Sequence, residues 1–140
     1  MNEVDAAIYT KLKSDATLTG LLAAGTASVY NGMAPQGAEF PYVVFSRASD
    51  RDGYTLSSEA HIDLIYTVKA VTKTPAGSPT KAAAGTIAAR IKTVLNDSAL
   101  TISGRIWLST RRESAIDYTE PANSHIYVHH GGNYRIWIAP

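Results

Sequence analysis

The segment AHIDLIYTVKAV, residues 60–71, alternates between two kinds of side chain. The residues predicted to share one face are mostly apolar: Ala60, Ile62, Leu64, Tyr66, Val68 and Ala70. The opposite face would carry mainly polar residues: His61, Asp63, Thr67 and Lys69. A period of two residues is typical of an antiparallel strand with one buried face. This segment therefore predicts a half-buried strand that needs a covering layer.

A helix that follows this strand is expected to provide the cover. Ser78 is a candidate N-cap, Pro79 suits the first helical position, and the helix is expected to run to about Asn96. Apolar residues then recur at helical spacing: Ala84, Ile87, Ala88, Ile91, Val94 and Leu95. Because this stripe is rich in alanine, the helix is predicted to pack closely on the buried face of the sheet.

Two shorter helices are predicted at the N-terminus. The first, over residues 3–14, has one apolar stripe, made by Val4, Ala7, Ile8 and Leu12. Asp15 can cap the second, from about Ala16 to Ala24, and Gly25 suits its end. This pair resembles a helix–turn–helix, but its second helix lacks the Arg, Lys, Asn or Gln side chains that read bases. Packing against the sheet is the favoured interpretation.

Further strands are predicted on both sides of the central one. Val29-Tyr30 has β character, a turn-rich connector follows, and residues 42–46 predict a strand that begins after Pro41. Residues 50–59 are predicted to form a long polar hairpin connection. Residues 104–119 and 125–139 predict two or three more strands.

Within the last of these stretches, Gly131-Gly132-Asn133 is interpreted as a turn or bulge. The complete order is two helices, three strands, one helix and the final strands. This order favours one α+β domain over residues 1–140, in which a mainly antiparallel sheet of four to five strands carries the helices on one face.

The bulk composition supports a single globular domain and argues against several functions. The chain has 140 residues, 45% hydrophobic and 18% charged, with a formal net charge of +1. This charge lacks the basic excess of nucleic-acid-binding proteins, and charged residues interrupt every N-terminal apolar run, so neither nucleic acid nor a membrane is an expected partner. The absence of cysteine removes disulfides and thiolate ligands, as expected for assembly in a reducing cytoplasm.

The sequence offers no constellation of catalytic, cofactor or metal-binding residues. His125 and His129 would share a strand face while His130 points the other way, which is poor geometry for zinc. The charged residues from Arg111 to Glu120 are better explained as a solvated edge strand than as an acid–base site. No nucleophile elbow, Walker A loop or dinucleotide fingerprint occurs. We expect no enzyme activity, no cofactor and no metal.

The first third of the chain resembles the tail-completion proteins of long-tailed bacteriophages, also described as tail terminators or head-to-tail joining proteins. The resemblance is carried by four segments: DATLTGLLAAG (15–25), VYNG (29–32), APQG (34–37) and FPYVVF (40–45). These correspond in order to a short Leu-Leu helix, a hydrophobic-Tyr strand, a proline-containing connector and a Pro-Tyr-Val-Val strand. The remaining two-thirds agree in the order and length of the elements.

This resemblance implies an assembly protein with no catalytic residues. It implies a ring of identical subunits, commonly six, at the head-proximal end of the virion tail. The expected partners are further copies of itself, the major tail tube protein, and the head connector or head-completion protein. The alternatives are another virion component, such as a head–tail adaptor or minor tail protein, a small ligand-binding domain, or an unrecognised enzyme.

Candidate contacts with other subunits or partners lie in the polar connection and the terminal strands. These candidates are Asp50, Arg51, Asp52, Tyr54, Arg111, Arg112, His129 and Trp137. Tryptophan is enriched at protein interfaces, and exposed loops and sheet edges supply the unlike, complementary surfaces that a closed ring needs.

Overall fold

The computed structural model describes residues 2–140 as three α-helices and one sheet of five strands. The helices are α1 (Asn2–Lys13), α2 (Ala16–Gly20) and α3 (Ala82–Leu95). The strands are β1 (Val29–Asn31), β2 (Tyr42–Tyr54), β3 (Glu59–Pro75), β4 (Ile106–Ala122) and β5 (His125–Ala139). The sheet order is β1-β2-β3-β5-β4, in which only the β1–β2 pair is parallel. The predicted α+β class is confirmed.

The core lies between the sheet and the helices, where the sequence predicted it. On β3, Ile62, Leu64, Tyr66, Val68 and Ala70 are buried in one cluster, while Ala60 is only partly buried. All six residues of the predicted α3 stripe are buried as well. Because the helical stripe and the alternating strand face meet, each supplies the apolar surface that the other must bury.

The N-terminal helices are anchored by Asp15, which caps α2 as predicted. Its Oδ1 accepts a hydrogen bond from the Leu18 amide at 2.7 Å, and its carboxylate takes a two-pronged contact from Arg90 of α3, at 3.0 and 2.7 Å. The Arg90 hydrogen bond holds the pKa of Asp15 below its usual value. Helix α2 ends at Gly20, not Ala24, because the Ala23 amide donates to the Pro41 carbonyl at 3.0 Å and cannot continue the helix; a short 3-10 segment, Gly25–Ser28, follows. One carboxylate thus caps one helix and ties it to another.

Helix α3 begins at Ala82, and the prediction of Ser78 as its N-cap was wrong. Strand β3 continues four residues beyond the predicted end, to Pro75, because β5 supplies partners as far as His125. The Ser78 amide then bonds to the Pro75 carbonyl at 3.1 Å in the turn that leaves the strand. The helix start is displaced because these residues are used in the turn.

The connection between β2 and β3 is also shorter than predicted. Only residues 55–58 form the turn, since Asp50 pairs with Leu64 and Tyr54 pairs with Glu59. A register shift between Arg47 and Ser49 bends β2 before this extension. Most of the polar residues expected in a loop therefore extend β2, and the segment 50–59, called here the hairpin arm, contains this extension and the turn to β3.

The prediction of a turn or bulge at Gly131-Gly132-Asn133 was wrong, since all three lie inside β5. A Cβ on Gly131 would lie 2.1 Å from the Val68 carbonyl oxygen, and one on Gly132 would lie 2.8 Å from Cδ of Arg112. The nearby register shift belongs instead to β4, between Arg112 and Ser114. These glycines permit the neighbouring strands β3 and β4 to approach β5 closely.

Within residues 2–140, no helix combines the length and apolar character required to cross a membrane.

The buried stripe of α3 can be tested by a pair of neighbouring substitutions. Ile91 is fully buried and Lys92 is exposed. Ile91→Ala should lower the free energy of unfolding by about 2–4 kcal/mol because it leaves a cavity in the core. Lys92→Ala should change it by less than about 0.5 kcal/mol. Equal losses in chemical denaturation would contradict this placement of the helix.

The close approach at Gly131 leads to a second stability prediction. Gly131→Ala should destabilise the fold by at least about 2 kcal/mol, since the new methyl group would meet the backbone of β3. The matched control is Gly85→Ala in α3, where a Cβ would meet no atom within 4 Å. That change should stabilise the protein by roughly 0.5–1 kcal/mol, because alanine favours a helix. A Gly131→Ala protein as stable as the wild type would contradict the predicted clash.

Candidate interaction surface

The sheet has two unlike faces. Helix α3 packs against β3 and β5 on the face that contains Leu64 and Ile136. The opposite face, called here the open face, carries Asp63, Thr67 and Lys69 of β3, as the alternating pattern predicted. Ion pairs and hydrogen bonds connect the side chains of four strands across this face.

A carboxylate–guanidinium cluster lies toward the hairpin-arm end of the open face. Arg135 contacts both Asp63 and Glu113, which lie on the strands to either side of it. Arg51 of the hairpin arm reaches Asp63 with an Nη2–Oδ2 distance of 3.5 Å. Hydrogen bonding to Glu113 raises the pKa of Arg135, which remains charged. Opposite charges therefore connect β2, β3, β5 and β4.

Asp63 is more buried than its place on a polar face suggested. It is 5% exposed, because the arginine side chains lie over it, and its Oδ1 has no hydrogen-bond partner among the described residues. Together with Ser49 and Ile65, these charged groups border a pocket of about 350 Å³. The sequence showed Asp63 on the polar face but not the arginine that covers it.

The middle of the open face is held by a hydrogen-bonded ladder of neutral side chains. Thr67 Oγ1 donates to Asn133 Oδ1 at 2.8 Å, and Asn133 Nδ2 donates to Ser114 Oγ at 2.9 Å. Each member comes from a different strand. The ladder keeps this part of the face polar and fixes the three side chains relative to one another.

His129 lies in a third cluster, where its ring stacks on that of Tyr118 at a centroid distance of 4.3 Å. Lys69 Nζ donates to the Tyr118 hydroxyl at 2.7 Å, and Glu120 contacts the imidazole. Burial and the charge of Lys69 lower the pKa of His129, so its neutral form is favoured at pH 7. His129 is therefore buried beneath Tyr118, and its predicted contact with another subunit or partner stays a prediction.

The other histidines agree with the predicted strand geometry. His125 and His129 share the open face, while His130 pairs with Ala70 and lies on the helix side. Among residues 2–140, no three His, Asp or Glu side chains are grouped so as to hold a metal ion.

Aromatic residues occupy the two ends of the open face. At one end, Phe40 of the β1–β2 connector stacks on Tyr127 with a ring-centroid distance of 5.4 Å, and its ring centroid lies 5.0 Å from that of Tyr42. At the other end, Trp137 packs against His61 at 5.7 Å yet is 43% exposed. The connector thus docks on the sheet at one end, and an exposed tryptophan marks the other.

The hairpin arm has an apolar tip. Tyr54 is 70% exposed, and Leu56 in the turn is fully exposed. Asp52 accepts a hydrogen bond from the Tyr54 hydroxyl at 3.4 Å, while Asp50 pairs with Arg47 at 3.6 Å. The arm therefore presents apolar side chains to solvent at its tip, while Asp50 and Asp52 each have a partner nearby.

The eight predicted contact residues do not form one site. Asp50, Arg51, Asp52 and Tyr54 belong to the hairpin arm, and only Arg51 joins the carboxylate–guanidinium cluster. Arg111 pairs with Asp97, whereas the side chain of Arg112 lies against Gly132.

The remaining two candidates, His129 and Trp137, lie eight residues apart on β5. Sequence reasoning missed Glu113 and Arg135 as members of the open-face cluster. The strand pairing that brings them together has no local sequence signal.

Comparison with known proteins places this architecture in a family. The model of the family Tail completion protein gp17 matches residues 6–138. A solved structure described as the virion of a native gene transfer agent particle has the same fold, with a TM-score of 0.69 and 19% identity; the match covers 98% of this chain and 95% of the other. A second solved structure matches with a TM-score of 0.56 and 14% identity, covering 96% and 94% of the two chains. No curated protein matches the chain.

The family match extends the resemblance seen in the first third of the sequence over nearly the whole chain. The chain belongs to the tail completion protein gp17 family, and it is a structural or assembly component of a phage tail.

Proposed function

We propose that this protein completes the tail by closing the head-proximal end of the tail tube as a ring of identical subunits and by joining the tail to the head. The observation that carries the proposal is the family match over residues 6–138. The partners proposed are further copies of the chain, the major tail tube protein and the head connector or head-completion protein. Assembly is proposed to occur in the host cytoplasm.

The two-faced sheet supports an assembly role. The helix side of the sheet is filled by the core, whereas the open face and the hairpin arm are not covered by helices and can meet partners. Ion pairs and hydrogen bonds connect side chains from four strands across the open face and restrain them relative to one another. Restrained side chains lose little conformational entropy on association.

The hairpin arm is the best candidate for contact with a neighbouring subunit or with the tube. Interface hot spots are enriched in aromatic residues, and Tyr54 lies beside Leu56 at the end of the arm. Trp137 is a second exposed anchor, at the same end of the sheet as the arm. A closed ring requires two unlike complementary surfaces, and the arm and the open face are unlike.

Loss of the gene from the parent phage tests the proposed function directly. The lysate should contain full heads and separate tails, with tails of abnormal length, because neither joining nor length control would be completed. Electron microscopy of the lysate is the measurement, and a plasmid copy of the gene should restore joined virions. Normal joined virions without the gene, or failure already at head assembly, would exclude the proposal.

A charge at the tip of the arm tests the role of this element. Leu56→Asp should leave the free energy of unfolding within about 0.5 kcal/mol of the wild type because Leu56 is fully exposed. In complementation of the deletion phage, it should lower the titre by about tenfold or more, since an unpaired charge would be buried in the contact.

The matched control is Ala83→Asp, an equally charged change at an exposed position on α3. The control should complement normally. Equal titres for the two variants would show that the tip of the arm makes no essential contact.

A further inference from the structure

The two edges of the sheet differ in how far they are covered. On one side, β1 pairs only with Val43–Phe45 of β2. Beyond that point, no described strand lies on the outer side of residues 46–54, called here the free edge. Unpaired strand edges are templates for the addition of another chain.

The other edge, β4, is covered by the residues that follow α3. The Asp97 amide donates to the Thr110 carbonyl at 2.8 Å, and the Arg112 amide donates to Asn96 Oδ1 at 2.8 Å. Arg111 pairs with the Asp97 carboxylate at 3.3 Å. Asn96 and Asp97 are called here the edge cap. They form hydrogen bonds with two backbone groups of β4 that point away from β5, the Thr110 carbonyl and the Arg112 amide.

Asp97 adopts a backbone conformation that favours this arrangement. Its φ is +54°, in the left-handed region that asparagine and aspartate tolerate better than most residues. The chain leaves α3 with Asn96 in an extended conformation and then reverses at Asp97. The backbone conformation at the end of α3 therefore places the edge cap beside β4.

A proline reinforces the protection at the far end of β4. Pro121 pairs with Ile126, and Thr110 pairs with Ile136. Ile126 and Ile136 are an even number of residues apart on β5, so the backbone groups of Pro121 and Thr110 point to the same side of β4. The nitrogen of Pro121 therefore faces outward, as the Thr110 carbonyl does. A proline at this position removes a donor that an added strand would need.

The edge cap and the middle of the free edge lie at the same height along the strands, on opposite edges of the sheet. Across the sheet, Asp50 pairs with Leu64, Leu64 with Ile136, and Ile136 with Thr110. Strands β2 and β4 run in opposite directions because three antiparallel pairs separate them. Two copies placed side by side would therefore align the free edge antiparallel to residues 106–114, with the edge cap between them.

We propose that the edge cap prevents a second copy of this chain from adding its free edge to β4. Such an addition would join two different edges and leave a new edge at each end, so it could repeat; contacts of this kind give open filaments wherever the rotation between copies does not close a ring. The proposal concerns the sheet edges alone and does not depend on the tail-completion role.

The experiment is to weaken the edge cap with Asn96→Ala and Asp97→Ala in the same chain. This variant loses the acceptor for the Arg112 amide and the partner of Arg111, and alanine tolerates the positive φ poorly. Its weight-average mass in sedimentation equilibrium should rise more than about twofold as the protein concentration is raised about a hundredfold. The wild-type mass should stay constant or reach one fixed limit.

The matched control carries Asn123→Ala and Ser124→Ala in the β4–β5 turn. Asn123 also has a positive φ, of +41°, but lies outside the capped part of the edge. This variant should sediment like the wild type, so a loss of stability at a positive-φ residue is not enough to cause association.

A third substitution separates edge pairing from association of unfolded chains. The Phe45 carbonyl points away from β3, since it accepts a hydrogen bond from the Gly32 amide at 2.7 Å. Phe45 pairs with Val68 and Asp50 with Leu64, four residues apart on β3, so the backbone groups of Asp50 also point away from β3. Asp50→Pro therefore removes an outward amide of the free edge and keeps the ladder to β3.

Added to the variant with the weakened cap, Asp50→Pro should restore the wild-type dependence of mass on protein concentration. The proposal is overturned if the weakened cap leaves the mass unchanged, or if association persists with Asp50→Pro present.

Discussion

The structure depends on the burial of the alternating face of β3 beneath α3. A sheet that is covered on one face must bury every second residue and leave the others to water. In β3 the even-numbered residues from Ile62 to Ala70 meet the Ile87 and Ile91 side of α3. Since α1 and α2 join the same layer, none of the helices described within residues 2–140 lies above the opposite face, which can carry charge.

Local patterns were sufficient to predict the elements that make this layer. The period of β3, the six buried residues of α3 and the cap at Asp15 each depend on neighbours within a few positions. The elements whose limits depend on distant partners were predicted less well. β3 reaches Pro75 because His125 lies beside it, and the hairpin arm is a strand because Leu64 faces Asp50. Neither partner can be read from the segment itself.

The same distinction explains what sequence reasoning achieved for the candidate interaction surface. It placed His125, His129 and His130 correctly on their faces, and its choice of the hairpin arm, β4 and β5 as contact regions stays a prediction. It did not find the cluster around Arg135, because Asp63 and Glu113 are 50 residues apart in sequence and meet only through β5. The edge cap was missed for a similar reason: Asn96 and Asp97 looked like the end of a helix, and their partners lie on β4.

The close contact at Gly131 affects how freely this fold can diverge in sequence. Solved structures at 19% and 14% identity keep the fold, as expected when core positions need only be apolar and of suitable volume. An open-face side chain can also be exchanged if its cross-strand partner changes with it. Gly131 has no such latitude, since any side chain there meets the backbone of β3. During evolution, a substitution at this position would require the two central strands to move apart along with it.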